Sequence, residues 1–280
     1  MKKTIEEKNK GILLQTLRAP FKSTRGCGVR TLLATAATAA LALGFSTLAA
    51  GADSPKPAII LIHGAFADGS SWSKVIPLLE AKGLHVVAVQ NPLTSLADDV
   101  DTTKRAIALQ DGPVVLVGHS YGGAVITEAG NDPKVVGLVF VSAFAPGDGE
   151  SVNSITKPYP PAPLGGELRP DAQGFLWVTP KGIAEDFAQD LPEKERRILM
   201  ATQGPTNAAA FAATITTAAW KTKPSWFVIA GNDRAIPPEL EKAEAAAMKA
   251  TSITLQSSHV AMLSHPREVA ELIERAAANR

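Results

Sequence analysis

Val115-Leu116-Val117-Gly118-His119-Ser120-Tyr121-Gly122-Gly123-Ala124 reads as a buried strand that turns sharply and passes at once into a helix. In so tight a turn the residues two before and two after the serine approach too closely for side chains, and Gly118 and Gly122 leave that space open. The same turn lifts the Ser120 hydroxyl into the cleft at the strand's end. A glycine-rich turn that only packs a helix on a sheet would share the glycines. The strand before, the helix after and the third glycine, Gly123, point instead to Ser120 as a nucleophile.

On either side of this stretch, short Val/Ile-rich runs alternate with helical patterns. The runs are 58–62, 84–89, 114–117, 135–141, 226–230 and 252–255, nearly continuous in apolar character, as strands covered on both faces must be. Helical patterns fall at 72–82, 95–110, 121–130, 238–249 and 266–278. The alternation predicts an α/β fold, a mostly parallel twisted sheet flanked by helices, with ligands bound at the carboxyl ends of the strands. One segment, 146–223, breaks the rhythm. It begins with a turn-rich stretch holding Pro158, Pro160, Pro161, Pro163 and Pro170, then shows short helical patterns at 180–190, 192–203 and 207–215. An excursion of this length reads as a small, mainly helical cap inserted after the strand near 135–141 and lying over the sheet's carboxyl edge; a surface insertion remote from any site is the alternative.

Charge is unevenly distributed along the 280 residues. Residues 1–30 carry eight bases against two acids, 31–52 carry none, and from Asp53 onward 20 bases face 25 acids. A basic start, an apolar run at 31–50 and a small-residue end at Ala50-Gly51-Ala52 predict a signal peptide over 1–52, with export to the periplasm or medium and a single domain over 53–280. An uncleaved anchor through 31–50 is the alternative, because the run is long enough to span a bilayer. The net negative body and the absence of a clustered basic run argue against nucleic acid as a partner, and no membrane partner is expected once the leader is removed. Cys27, the only cysteine, lies in the leader, so the body holds no thiol for a disulfide, a thiolate metal site or a nucleophile.

Serine needs a base, and the base an orienting carboxylate. For a serine on an elbow of this kind the acid and then the histidine follow in the chain, which leaves His259 and His265. His259 follows the run 252–255 directly, where a carboxyl-end loop would hang the ring over Ser120, whereas His265 precedes Pro266 at a helix start. Asp233 sits in the turn after the run 226–230, and Asp148, after the preceding run, is the competing acid. Two backbone N–H groups are required for an oxyanion: that of Tyr121, next to the nucleophile, and that of Ala65, in the His63-Gly64 turn after the first strand. His63 and His119 read as bracing residues rather than as chemical groups.

With these segments in place the chain resembles the α/β-hydrolases. Within them it is similar to the branch holding bacterial esterase-like hydrolases, plant salicylate methylesterases and hydroxynitrile lyases. The resemblance lies in His63-Gly64-Ala65-Phe66-Ala67-Asp68-Gly69-Ser70-Ser71-Trp72, Gly118-His119-Ser120-Tyr121-Gly122-Gly123, Asp233-Arg234-Ala235-Ile236-Pro237 and His259-Val260-Ala261-Met262-Leu263. It implies Ser120, Asp233 and His259 as a triad, with Ala65 and Tyr121 as oxyanion donors. The lyases of that branch generally carry a threonine where this chain has Gly64 and a lysine where it has Val260. Dehalogenases and epoxide hydrolases use an aspartate in place of Ser120.

The expected function is hydrolysis of small carboxylic esters through an acyl-enzyme, with no cofactor and no metal. A lyase on the same triad, and a non-catalytic ligand binder, are the alternatives. Candidate pocket walls are Phe66, Trp72, Phe144, Trp177, Phe187 and Met262, with Met200, Phe211 and Trp220 as further possibilities, all residues that also serve ordinary packing.

Overall fold

All six apolar runs form strands in the computed structural model, which describes residues 56–279; the leader over 1–52 and the alternative anchor over 31–50 lie outside the described residues. Among the described residues no helix is long and apolar enough to cross a membrane. In chain order the first half comprises β1 (Ala58–Ile62), α1 (Ile76–Glu80), β2 (Val86–Val89), α2 (Leu96–Ala108), β3 (Val114–Ser120), α3 (Gly122–Ala129) and β4 (Val135–Ala143). The inserted segment follows with α4 (Val152–Thr156), β5 (Leu168–Pro170), β6 (Phe175–Val178), α5 (Pro180–Gly182), α6 (Glu193–Thr202) and β7 (Thr206–Asn207). The chain then rejoins the main sheet through β8 (Ser225–Ala230), α7 (Pro238–Ala247), β9 (Thr251–Leu255), α8 (Ala261–Ser264) and α9 (Pro266–Ala278).

The main sheet has the order β2-β1-β3-β4-β8-β9, and every pairing in it is parallel. Parallel neighbours require crossovers, and the helices that make them cover both faces, which is why β1 and β3 are buried at every position. At the centre Phe140 of β4 stacks on Phe227 of β8, with ring centroids 5.7 Å apart. After β1 the chain steps outward to β2 and then returns to place β3 on the other side of β1. That reversal opens a crevice between the carboxyl ends of β1 and β3, the general position for ligands in open α/β sheets. Ser120 is the last residue of β3 and the His63-Gly64 turn follows β1, so both reach this crevice.

Two expectations change in detail. The helical pattern at 72–82 divides into a 3₁₀ turn at Gly69–Trp72 and the short α1, because Asp68 caps the turn through Ser70 N–H and Pro77 favours a new helix start. The pattern at 207–215 contains only the 3₁₀ turn Ala208–Phe211, since Asn207 is drawn into β7 and its side chain caps the turn at Ala209 N–H. The inserted segment is mainly helical and also carries a three-stranded antiparallel sheet in the order β5-β6-β7. Strands of two to four residues are too short to leave a periodic signature in sequence.

Candidate active site

Ser120 adopts φ +54°, a left-handed conformation that costs a non-glycine residue on the order of 1–3 kcal/mol and persists only where its surroundings enforce it. The enforcement is steric. A Cβ at Gly118 would lie 2.5 Å from the Gly122 carbonyl oxygen, and one at Gly122 would lie 2.7 Å from the Ile62 carbonyl oxygen. The turn therefore closes only with glycine at 118, and it packs against the end of β1 only with glycine at 122. Gly64 packs against the serine itself, where a Cβ would lie 2.6 Å from Ser120 Cβ. Helix α3 starts immediately after the turn, so the positive end of its dipole faces the Ser120 region.

The acid and base loops meet beside this elbow. His259 Nδ1 lies 2.6 Å from Asp233 Oδ2, and both side chains are shut off from solvent. The other Asp233 oxygen, Oδ1, accepts from Ala235 N–H at 2.7 Å and Ile236 N–H at 2.8 Å. With Nδ1–H given to the carboxylate, Nε2 is left as the accepting atom of the ring. Of the competing residues, Asp148 lies at the surface, where it pairs with Lys221 at 2.8 Å and accepts from Ala218 N–H. His265 Nδ1 is 2.9 Å from Ser264 Oγ, and the ring lies outside the cavity that holds Ser120.

His119 and His63 brace the loops. His119 Nε2 lies 2.9 Å from the His259 carbonyl oxygen, and burial, with His259 as a further cause, holds its pKa well below the ordinary value. A neutral ring then donates Nε2–H and fixes the backbone of the base loop. His63 is likewise kept neutral by burial; its Nε2 accepts from Asn91 N–H at 2.9 Å, and its Nδ1 contacts the Gly64 carbonyl at 2.8 Å. The Tyr121 hydroxyl donates to Asp99 Oδ2 at 2.9 Å, tying the elbow to α2, and burial pushes Asp99 up to about 6.

The inserted segment is keyed to the same loops. Asp186 pairs with Arg234 at 2.7 Å, Gln189 Nε2–H donates to the Asn232 carbonyl at 2.7 Å, and Asp190 accepts from Ser258 N–H at 2.7 Å. Phe187 sits edge-on to the His259 ring, with centroids 5.1 Å apart. On the opposite side the Thr206 hydroxyl of β7 accepts from Phe66 N–H at 3.2 Å, holding the loop that contains Ala65. These contacts place the segment over the carboxyl edge of the sheet, not at a remote surface.

Between cap and sheet lies a cavity of about 510 Å³ lined by Ser120, His259 and Ala65 together with Phe66, Phe144 and Phe187. Phe211 also lines it. Tyr121 supplies no side-chain wall: its ring is buried against Phe211 and its hydroxyl is engaged by Asp99. Three residues read as walls do not reach the cavity. Trp72 is fully buried beneath the elbow, edge-on to His119, and Met262 is fully buried in α8. Trp177 is 41% exposed, because side chains alternate along a strand and its neighbour Leu176 takes the inward face of β6. Met200 and Trp220 also lie outside the lining. Walls the sequence reading missed include Val152, Leu164, Leu168, Leu176 and Ile236, small aliphatic residues that nothing in their local pattern distinguishes from core.

Comparison with known proteins agrees with this architecture. An alpha/beta hydrolase of Aspergillus novofumigatus is 27% identical over 244 residues, covering 79% of this chain and 97% of that protein. Methylesterase 2 of Arabidopsis thaliana is 35% identical over 111 residues, covering 32% of this chain and 41% of its own. The crystal structure of a pyrethroid hydrolase from Sphingobium faniae JZ-2 superposes with a TM-score of 0.69 at 23% identity, covering 80% of this chain and 98% of that one, and so shares the fold. The profile of the Alpha/beta hydrolase family matches residues 59–272, most of the described chain and all six strands but the first residue of β1; the protein belongs to that family.

Proposed function

We propose that the protein is a serine-dependent hydrolase that cleaves small-molecule carboxylic esters through an acyl-enzyme. The observation that carries this reading is the 2.6 Å His259–Asp233 pair, whose histidine lines the same cavity as Ser120 on its strained turn. His259 Nε2 takes the Ser120 proton as the hydroxyl oxygen attacks the ester carbonyl, while the N–H groups of Ala65 and Tyr121 hold the oxyanion. The imidazolium then protonates the leaving alcohol, and His259 next draws a proton from the water that releases the acid. Asp233 keeps Nδ1 protonated and the ring oriented throughout. These steps draw only on protein groups and water.

The similarity to a methylesterase supports an ester as substrate, and the cavity supports its character. About 510 Å³ lies within the range of small-molecule sites, and the phenylalanine and aliphatic walls suit an apolar or aromatic acyl group. Cyanohydrin cleavage fits less well: the buried, apolar Val260 offers no charge to a departing cyanide, and Gly64 has no room for a side chain against Ser120. A p-nitrophenyl ester series of increasing acyl length tests the proposal with purified protein. Turnover of the short and aryl esters, preceded by a burst of nitrophenol equal to the enzyme present, is the expected result. A series that nowhere exceeds the uncatalysed rate would overturn it in favour of ligand binding.

We also propose that residues 1–52 direct export and are then removed. N-terminal sequencing of secreted material should begin at or near Asp53. An intact Met1 in the membrane fraction would support the uncleaved anchor instead.

A further inference from the structure

Helix α7 passes behind the acid loop with two carboxyl groups on its buried face, Glu241 and Glu244, among Leu240 and Ala245. An inner helical stripe is ordinarily apolar, so each of these acids calls for a partner. Glu244 has one in Ala145 N–H, at 2.7 Å from its Oε1. Glu241, wholly enclosed, uses Oε2 to accept from Ala230 N–H at 2.8 Å, at the end of β8. Its Oε1 meets no donor among the described residues, and the acid acting on it from the adjoining loop is Asp233.

Two carboxyl groups in contact away from water cannot both be anions, because nothing screens their repulsion. One proton must lie between them. Asp233 already receives Ala235 N–H, Ile236 N–H and His259 Nδ1–H, three donors that favour its anion. Glu241 receives only Ala230 N–H, so the proton belongs on Glu241 Oε1. Burial first, and the charge of Asp233 second, push the Glu241 pKa well above the ordinary carboxylate range.

We propose that Glu241 is a positioning residue of the active site: as a neutral acid it donates its O–H to Asp233 from behind, holding the carboxylate that orients His259. The proposal rests on the triad of the preceding section and extends it by one group, anchored through Ala230 to the sheet. Its distinguishing mark is a pH effect. The charged groups acting on Glu241 are Asp233 on the loop after β8 and Glu244 on α7 itself, with His259 reached through Asp233. Because the Glu241 pKa is raised, the proton persists above the ordinary carboxylate range and is lost only as pH rises through that raised value, where a second negative charge beside Asp233 would disrupt the pair.

The test compares E241Q and E241L in the full protein. Glutamine can donate N–H to Asp233 and accept from Ala230 N–H, and it does not ionise. The expected result is that E241Q keeps kcat within about threefold at neutral pH and lacks the alkaline fall in kcat expected of the wild type. E241L should lower kcat by about ten- to a hundredfold with KM nearly unchanged, the effect of losing one hydrogen bond to a charged group. An alkaline limb identical in E241Q and wild type, or wild-type kcat in E241L, would overturn the proposal. A second readout needs neither turnover nor substrate: the downfield proton resonance of His259 Nδ1–H should shift between wild type and E241L, and an unmoved resonance would likewise overturn it. Absence of ester turnover in the wild type would count against the esterase reading alone, leaving the resonance to decide the role of Glu241.

Discussion

Ser120→Ala is expected to lower kcat for ester hydrolysis by roughly ten-thousand- to a million-fold, the range in which a triad loses its nucleophile while binding and oxyanion contacts remain. The reason lies in what alanine leaves intact. It has no oxygen to form the acyl-enzyme, but it fits the same left-handed turn, and His259–Asp233 lies on other loops. The thermal midpoint should therefore stay within a few degrees of the wild type, and KM should change little. Steady-state kinetics on the p-nitrophenyl esters beside a thermal melt separates lost chemistry from lost fold. A folded variant that turned over within tenfold of the wild type would show that hydrolysis runs through another group.

The second large effect is expected at Asp233. In Asp233→Asn the amide oxygen should take the place of Oδ1, because Ala235 N–H and Ile236 N–H both require an acceptor there. The amide NH₂ must then face His259 Nδ1, which can accept it only by giving up its own proton. The ring is driven into the tautomer with Nε2–H toward Ser120, where a base is needed. A loss of about ten-thousandfold in kcat follows, by analogy with the equivalent change in a serine protease. Binding should survive, since neither the cavity walls nor the N–H groups of Ala65 and Tyr121 are altered. Full activity in Asp233→Asn would remove Asp233 from the proposed mechanism and return attention to the rest of the acid loop.

These predictions bear unequally on the two halves of the site. The elbow was open to inspection in the sequence because its tightest contact is local: Gly118 closes on Gly122 and Gly123, within six residues that hold Ser120 between them. His259 and Asp233 were legible for a related reason, since each occupies the first loop after an apolar strand and parallel strands deliver such loops to one edge. The choice between Asp233 and Asp148 depended on the family resemblance, because both follow strands; the structure separates them by pairing Asp148 with Lys221 at the surface.

The cavity was far less legible. Trp177 and Leu176 are adjacent in a strand of four residues, and which one faces inward depends on a pairing with β5 and β7 that no periodicity announces. Trp72 and Met262 have the composition of pocket walls but serve beneath the elbow and in α8, because a large apolar side chain carries the same signature in either setting. Glu241 did leave a trace, an acid on the apolar stripe of a helix, though its neighbour Glu244 carries the same trace for a different partner.

Local sterics and strand–helix alternation, both carried by near neighbours in the chain, thus determined the sheet, the elbow and the order in which nucleophile, acid and base would arrive at its edge. The tertiary structure alone decided how the inserted segment closes over them. Asp186 with Arg234, Asp190 with Ser258 and Thr206 with Phe66 are joined across 48, 68 and 140 residues. Each is a single hydrogen bond or ion pair between side chain and loop, formed only after the sheet has brought the two ends together. No spacing rule links residues so far apart, so the cavity's shape, and with it the choice of substrate, is a property of the packed molecule.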